Sequence, residues 1–275
     1  NFAGETDNND FSIKTGLQWD FHNDAMMYFT YAQGYKGPGF NVFYNMGTND
    51  TLPIGEETSD SYEIGIKYAT NSLIANLAVF RTDIDGFQAN NFDNSTGVTI
   101  TRLTNAGSVE TQGVELDIIW NPVENFTLSG GFAAVDAEIK DFNCPIGETC
   151  TNRSGADVPF APDLKVSLNA NYVIPMPAWK ADIILDASYI YTDEQFSTLP
   201  NNSGVFAPAV LLPDYNMINA SVGLSFSEDK YRVTLIGKNL GDESFATTYS
   251  GDGFRYQIPR DADRYFGVNF RATLE

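Results

Sequence analysis

Apolar and polar residues take turns along most of this chain, and a period of two admits few folds. Phe11, Ile13, Thr15, Leu17 and Trp19 alternate with Ser12, Lys14, Gly16, Gln18 and Asp20. The rhythm returns at Met27, Phe29 and Tyr31, and at Tyr62, Ile64, Ile66 and Tyr68. It returns again at Leu164, Val166, Leu168, Ala170 and Tyr172 and, after the reversal at Pro175 to Pro177, from Trp179 to Tyr191. Ile218 to Phe226, Tyr231 to Leu235 and Phe266 to Leu274 complete the series. Leu73 to Ile84 is apolar on both sides and leaves its facing open. Val98 to Trp120 reads as one long strand with a bulge at Gly107 or Gly113; Val114, Leu116, Ile118 and Trp120 share one face, Glu115 and Asp117 the other. Helix-period segments are hard to find.

Between these runs the connections alternate strictly. Short polar turns, as at His22-Asn23-Asp24 and Asn121 to Glu124, are followed by long Gly-, Asn- and Asp-rich loops, as at Lys36 to Glu57 and Ile139 to Pro162. About 11 strands joined this way put every turn at one end and every loop at the other, which is an antiparallel up-and-down meander. A soluble sandwich predicts strands of about 5 or 6 residues with Greek-key connections. Strands of about 11 residues instead match a tilted membrane crossing. Trp19, Trp120 and Trp179 each sit within a few residues of a short turn, where a girdle at the membrane–water interface places indoles. The expected fold is therefore an all-β transmembrane barrel.

Composition agrees and excludes. Aromatic residues reach 13% while charged residues are 19%, a mixture that suits strands joined by turns. A formal charge of -20 argues against nucleic acid, which needs surplus Lys and Arg. No apolar run approaches the roughly 20 residues of a membrane helix. The interior of a barrel tolerates charge, so Lys14, Glu63, Lys67, Glu115, Asp117, Lys165 and Asp182 are expected on the inner face.

Bacterial barrels of this kind close with an even strand number, turns in the periplasm and loops outside. About 11 strands is odd, and counting back from a last strand that ends in the periplasm leaves the first strand needing an upward partner. Residues 1–275 are thus expected to be the C-terminal part of a larger barrel; a closed barrel of about 10 or 12 strands stays open as the alternative.

Several segments resemble the C-terminal half of the barrel of a TonB-dependent outer-membrane receptor. They are Tyr28 to Asn41 (YFTYAQGYKGPGFN), Glu57 to Lys67 (ETSDSYEIGIK), Asn105 to Leu116 (NAGSVETQGVEL), Ala161 to Tyr172 and Asn239-Leu240-Gly241-Asp242, in that order. The resemblance implies the second half of a barrel of about 22 strands in the outer membrane of a Gram-negative bacterium. It implies a lipid bilayer and lipopolysaccharide around the chain, and an N-terminal plug and first barrel half that this chain lacks, with the TonB box. It also implies an energy-coupling TonB complex in the inner membrane and a substrate such as a ferric siderophore. The family's last residue is usually aromatic, whereas this chain ends Leu274-Glu275. A passive porin without a plug is the alternative reading, and a soluble carbohydrate-binding protein a more distant one.

The chemistry expected is recognition, not catalysis, and no cofactor is expected. Cys144 and Cys150 flank PIGET in a long loop; outside the cell such a pair oxidises to a disulfide. Two thiols without histidine fall short of a structural zinc site, and no metal site is expected. His22, the only histidine, lies in a short turn at the opposite end from the loops, so no triad forms there. The loops carry Phe40, Phe43, Tyr44, Phe92, Phe196, Tyr249 and Tyr256 with Arg102, Arg153 and Arg255. Aromatic faces and guanidinium groups suit a planar anionic chelate, and these ten residues are the candidates for binding a small molecule or metal chelate.

Overall fold

The computed structural model describes residues 4–41, 53–93, 100–143, 153–198, 210–227, 229–249, 256–257 and 263–273, with backbone alone for residues 90–93, 100–102, 249 and 256–257. Its strands in chain order are β1 (Ile13–His22), β2 (Ala25–Lys36), β3 (Glu57–Ala69), β4 (Leu73–Asp85), β5 (Gln88–Asp93), β6 (Ile100–Asn105), β7 (Gly107–Val123), β8 (Phe126–Phe142) and β9 (Ala156–Asp157). There follow β10 (Leu164–Met176), β11 (Ala181–Thr192), β12 (Gln195–Phe196), β13 (Leu211–Leu212), β14 (Tyr215–Phe226), β15 (Tyr231–Lys238), β16 (Thr248–Tyr249), β17 (Tyr256–Gln257) and β18 (Tyr265–Ala272).

One sheet contains the wall. Its order, β1-β2-β3-β4-β7-β8-β10-β11-β14-β15-β18, is the chain order once the short loop strands are set aside, and β9 adds to the end of β8. Eleven staves in a nearest-neighbour meander is the arrangement expected from the alternation. All neighbouring pairs are antiparallel.

Register turns the alternation into two distinct surfaces. Trp19, Met27, Ile66, Leu77, Leu116, Phe132 and Val166 are successive cross-strand partners, forming one apolar row across seven staves. Leu185, Val222, Leu235 and Val268 continue the outer face on the later staves. One position along each strand, Met26, Lys67, Asn76, Asp117, Gly131 and Ser167 form a largely polar row on the other face. The two-sided strand β4 is thereby resolved: Leu73, Ala75, Leu77 and Val79 pair with Trp120, Ile118, Leu116 and Val114 and point outward. The outer apolar residues are open to their surroundings, with Leu17 at 78% and Leu235 at 59% exposure. For apolar rows of this extent, lipid is the surroundings that suits them.

The buried hydrophobic residues lie elsewhere. Ile54, Ala106, Val109, Ala137, Ile139, Val210 and Leu212 all belong to the loops or to the loop-side ends of strands. A barrel wall, one residue thick, has no interior of its own; among the described residues a small core forms where strands rise past the apolar rows and loops fold over.

Two expectations need correction. Val98 to Trp120 is not one strand: it breaks between β6 and β7 at Ala106, and β6 turns away to pair with β5. Gly107 takes φ +129, and a Cβ there would lie 1.9 Å from the Asp141 carbonyl oxygen. The bulge falls between Ser108 and Val109, while Gly113 stays in register. Trp179 belongs not to a strand face but to a 3-10 turn, Pro177–Trp179, ahead of Lys180 in the left-handed conformation. Trp179 is 76% exposed, beside the short-turn end of β10 and β11. Trp19 and Trp120 lie on the outer apolar face.

Candidate functional site

At the loop end, side-chain amides bind two external loops into one body. Gln88, nearly buried, receives its own backbone N–H partner in the Glu57 carboxylate at 2.6 Å and donates its amide to the Gly37 and Gly55 carbonyls at 3.1 and 2.8 Å. Asn105 accepts from the Gly55 N–H at 2.6 Å and donates to the carbonyls of Gly55, Glu56 and Gly86. Asn41 completes the join by pairing with both the N–H and the carbonyl of Leu103, each at 2.7 Å. The loop after β2 and the β5–β6 hairpin are thus held by groups that copy backbone pairing. Phe40 lies in this body, half-buried, next to the Gly39–Ile54 bridge.

A second cluster gathers the later loops. Phe196 and Ala246 pack against the buried pair Val210 and Leu212, and the Phe160 N–H donates to the Phe196 carbonyl at 2.8 Å. Tyr215 and Phe245 stack with centroids 4.3 Å apart. Phe196 is consequently a member of a small loop core. The Arg153 guanidinium sits 4.3 Å over the Phe142 ring, so this cation already uses an aromatic face of its own chain.

The other candidates are placed by backbone alone or fall outside the described residues. Tyr249 and Tyr256 are direct partners across β16 and β17. Phe92 and Arg102 share the β5–β6 hairpin, where Arg102 opposes Asn91 and Phe92 opposes Thr101. Phe43, Tyr44, Arg255, Cys144 and Cys150 lie outside the described residues. His22 is the last residue of β1 rather than part of the turn, at the other end from the loops, and its Nδ1 accepts from the N–H of the turn residue Asp24 at 3.2 Å.

Charge at the loop-side rim is organised around Glu110. Arg81 reaches it at 2.5 Å and Asp83 at 2.9 Å, while Lys140 reaches Glu110 at 3.2 Å and Glu138 at 2.6 Å. Two cations thus face three carboxylates across β4, β7 and β8. In the loop strand β9, burial and then the neighbouring Asp163, Asp136 and Glu138 carboxylates push the Asp157 carboxyl above its usual range. The rim is a place of negative potential.

The inner face has two characters. Along β2, β3 and β7, the Lys67 ammonium lies 5.3 Å from the Tyr28 ring centroid, with Glu63 and Glu115 nearby in register. Gly65 has no side chain where Tyr28 crosses it; a Cβ there would meet the ring at 2.5 Å. Across β8, β10, β11 and β14 the inner face instead carries mostly small hydroxyl and amide side chains, with Asp186 among them and Ile236 and Lys238 of β15 beside them, around a cleft of about 280 Å³. Sequence reading marked the charged inner residues and missed this hydroxyl- and amide-rich stretch, and it missed the Gln88–Asn105 staple. The signal for the staple was present: Asn105 opens the NAGSVETQGVEL segment that carries the family likeness.

A barrel wall with an apolar outside, a polar inside and loops stapled over one end defines an outer-membrane receptor or channel. The family is narrower: residues 1–240 match the family described as TonB dependent receptor-like, beta-barrel, and the chain belongs to it. The pesticin receptor of Yersinia pestis is 30% identical over 261 residues, covering 90% of this chain and 34% of that protein. The ferric yersiniabactin uptake receptor FyuA from Yersinia pestis superposes with a TM-score of 0.74 at 22% identity, over 94% of this chain and 36% of that one. The siderophore receptor PiuA from Acinetobacter baumannii gives 0.71 at 20% identity, over 94% and 35%. The chain therefore spans about a third of the length of the relatives it matches. The family is one of receptors of the Gram-negative outer membrane, not of enzymes.

Proposed function

We propose that this chain is the C-terminal part of the barrel of an active outer-membrane transporter that binds a ferric siderophore and admits it to the periplasm. The observation that carries the reading is the two-faced eleven-stave wall of a TonB-dependent receptor barrel. Relatives named as receptors for ferric yersiniabactin and other siderophores supply the substrate class. The barrel contributes a wall, a rim and a vestibule rather than chemistry; a plug and a first barrel half encoded elsewhere in the protein would complete it, and the TonB complex would drive it. Phe40, Phe92, Arg102 and the Tyr249–Tyr256 pair, together with Phe43, Tyr44 and Arg255, are the loop groups proposed to meet the chelate through stacking and charge pairing. The test is uptake of radiolabelled ferric yersiniabactin, a ferric catecholate and ferripyoverdine by cells with and without the whole gene, before and after the proton-motive force is collapsed. Gene-dependent uptake that stops with the force supports the reading; uptake indifferent to it contradicts active transport.

A further inference from the structure

Two adjacent rungs of small polar side chains cross the inner wall of β8, β10, β11 and β14. Ser129, Asn169, Ser188 and Asn219 are successive cross-strand partners in one rung, and Thr127, Asn171, Asp186 and Ser221 in the next. The same cleft of about 280 Å³ is lined by all eight. The β2–β7 part of the inner wall presents Tyr28, Gly65, Ala78 and Glu115 in one row, then Met26, Lys67, Asn76 and Asp117 in the next. The hydroxyl- and amide-rich stretch belongs to the β8–β14 sector.

Within that sector the polar groups are already aimed. Asp186 accepts from the Asn171 amide at 2.7 Å and from the Ser221 hydroxyl at 2.9 Å, and the Asn219 amide donates to Ser188 Oγ at 3.0 Å. The one carboxylate among the eight thus accepts, on each of its two oxygens, from a neutral donor of the wall. What remains toward the lumen is a run of hydroxyls and amides, bordered on β15 by Ile236 and Lys238. Groups of this kind replace water around a hydrated solute bond for bond, and they hold it weakly at many points, which is what passage requires. A wall of opposite charges, such as Glu63, Lys67 and Glu115 provide, suits a fixed partner better than a moving one.

We propose that the imported solute descends along this β8–β14 sector, with the Ser129–Asn219 and Thr127–Ser221 rungs as its hydrogen-bonding track, and that the solute is a hydrophilic chelate rich in donors and acceptors. The proposal rests on the transport reading above. It is tested in the whole receptor with a volume series at one rung, Ser188→Ala, Ser188→Phe and Ser188→Trp, together with Asn169→Trp. Thr30→Trp on the β2 wall is the control. Binding of radiolabelled ferric yersiniabactin, or of whichever panel member the wild type imports, is measured on de-energised cells and its uptake on energised ones. Uptake is expected to fall with side-chain volume, by about tenfold or more at Ser188→Trp, while surface binding stays within about twofold and Thr30→Trp imports normally. Wild-type-like uptake by both Trp variants overturns the track while leaving transport standing. So does a gain in vancomycin sensitivity with equal loss in Thr30→Trp, because that marks a displaced plug. A wild type that imports no member of the panel removes the transport reading and the track with it.

Discussion

Val222 gives the most direct measure of which solvent the outer face meets. It lies in the middle of β14, between Leu185 and Leu235 on the neighbouring staves, and is 51% exposed. Four residues separate it from Phe226 at the short-turn end, about 13 Å of strand, or about 10 Å of depth at a tilt near 40°. That is close to the centre of an apolar band about 25 Å tall. Val222→Arg is therefore expected to cost about 2–4 kcal/mol, a factor of roughly 30 to 1000 in the unfolding equilibrium. Phe226→Arg, at the interface, should cost about 0–1 kcal/mol, and Thr30→Arg, facing Glu63 across the inner wall, less than about 0.5 kcal/mol. Guanidinium titration of the whole receptor in phospholipid vesicles reads all three. Equal costs at Val222 and Phe226, or a Val222→Arg cost below about 0.5 kcal/mol, would show that the apolar rows do not face hydrocarbon.

Three further outcomes follow from the loop end and the turns. Gly107→Ala forces a side chain onto φ +129 and against the Asp141 carbonyl; a loss of about 3 kcal/mol or more and faster proteolysis of the β5–β6 hairpin are expected. Asn239, wholly buried, pairs with both the N–H and the carbonyl of Glu243, so Asn239→Ala should cost about 2–3 kcal/mol by denaturant titration. Asp229, in the β14–β15 turn, accepts from Ser225 and from the guanidinium groups of Arg232 and Arg271. The Ser225 hydrogen bond, then Arg232, holds its carboxyl below the usual range. A depressed folded-state pKa adds stability above the unfolded value and forfeits it as pH falls toward the folded one, so Asp229→Asn should flatten the acid limb of the stability–pH curve.

How much of this was legible in the sequence depended on the length scale of the signal. The staves were legible because each must show lipid one face and water the other, and that requirement writes a period of two into Leu17–Trp19 or Val222–Leu224 without help from distant residues. Facing in β4 was not legible, since both of its sides are apolar; only its pairing with β7 decided it. The loop hairpins were missed for a related reason. β12, β13, β16 and β17 are two residues each, too short to carry a period, and each finds its partner further along its own loop. Gln88 and Asn105 look like ordinary loop amides until the fold brings the Gly37 and Gly55 carbonyls to them. Of the ten loop candidates read from the sequence, Phe196 and Arg153 show the limit most plainly: an aromatic or guanidinium in a loop reads the same whether it meets a ligand or its own chain.

Because every stave of the wall is bonded to its chain neighbours, the sheet is modular along its circumference. Each hairpin carries its own register, and no stave waits for a partner from a remote part of this chain. Such a wall has low contact order for an all-β structure, and it can grow by adding one finished hairpin to an existing edge. A cut in an external loop, for example between β9 and β10, would leave two pieces whose pairings other than β8 with β10 are internally complete, so the chain is a natural candidate for reassembly from two separately made halves.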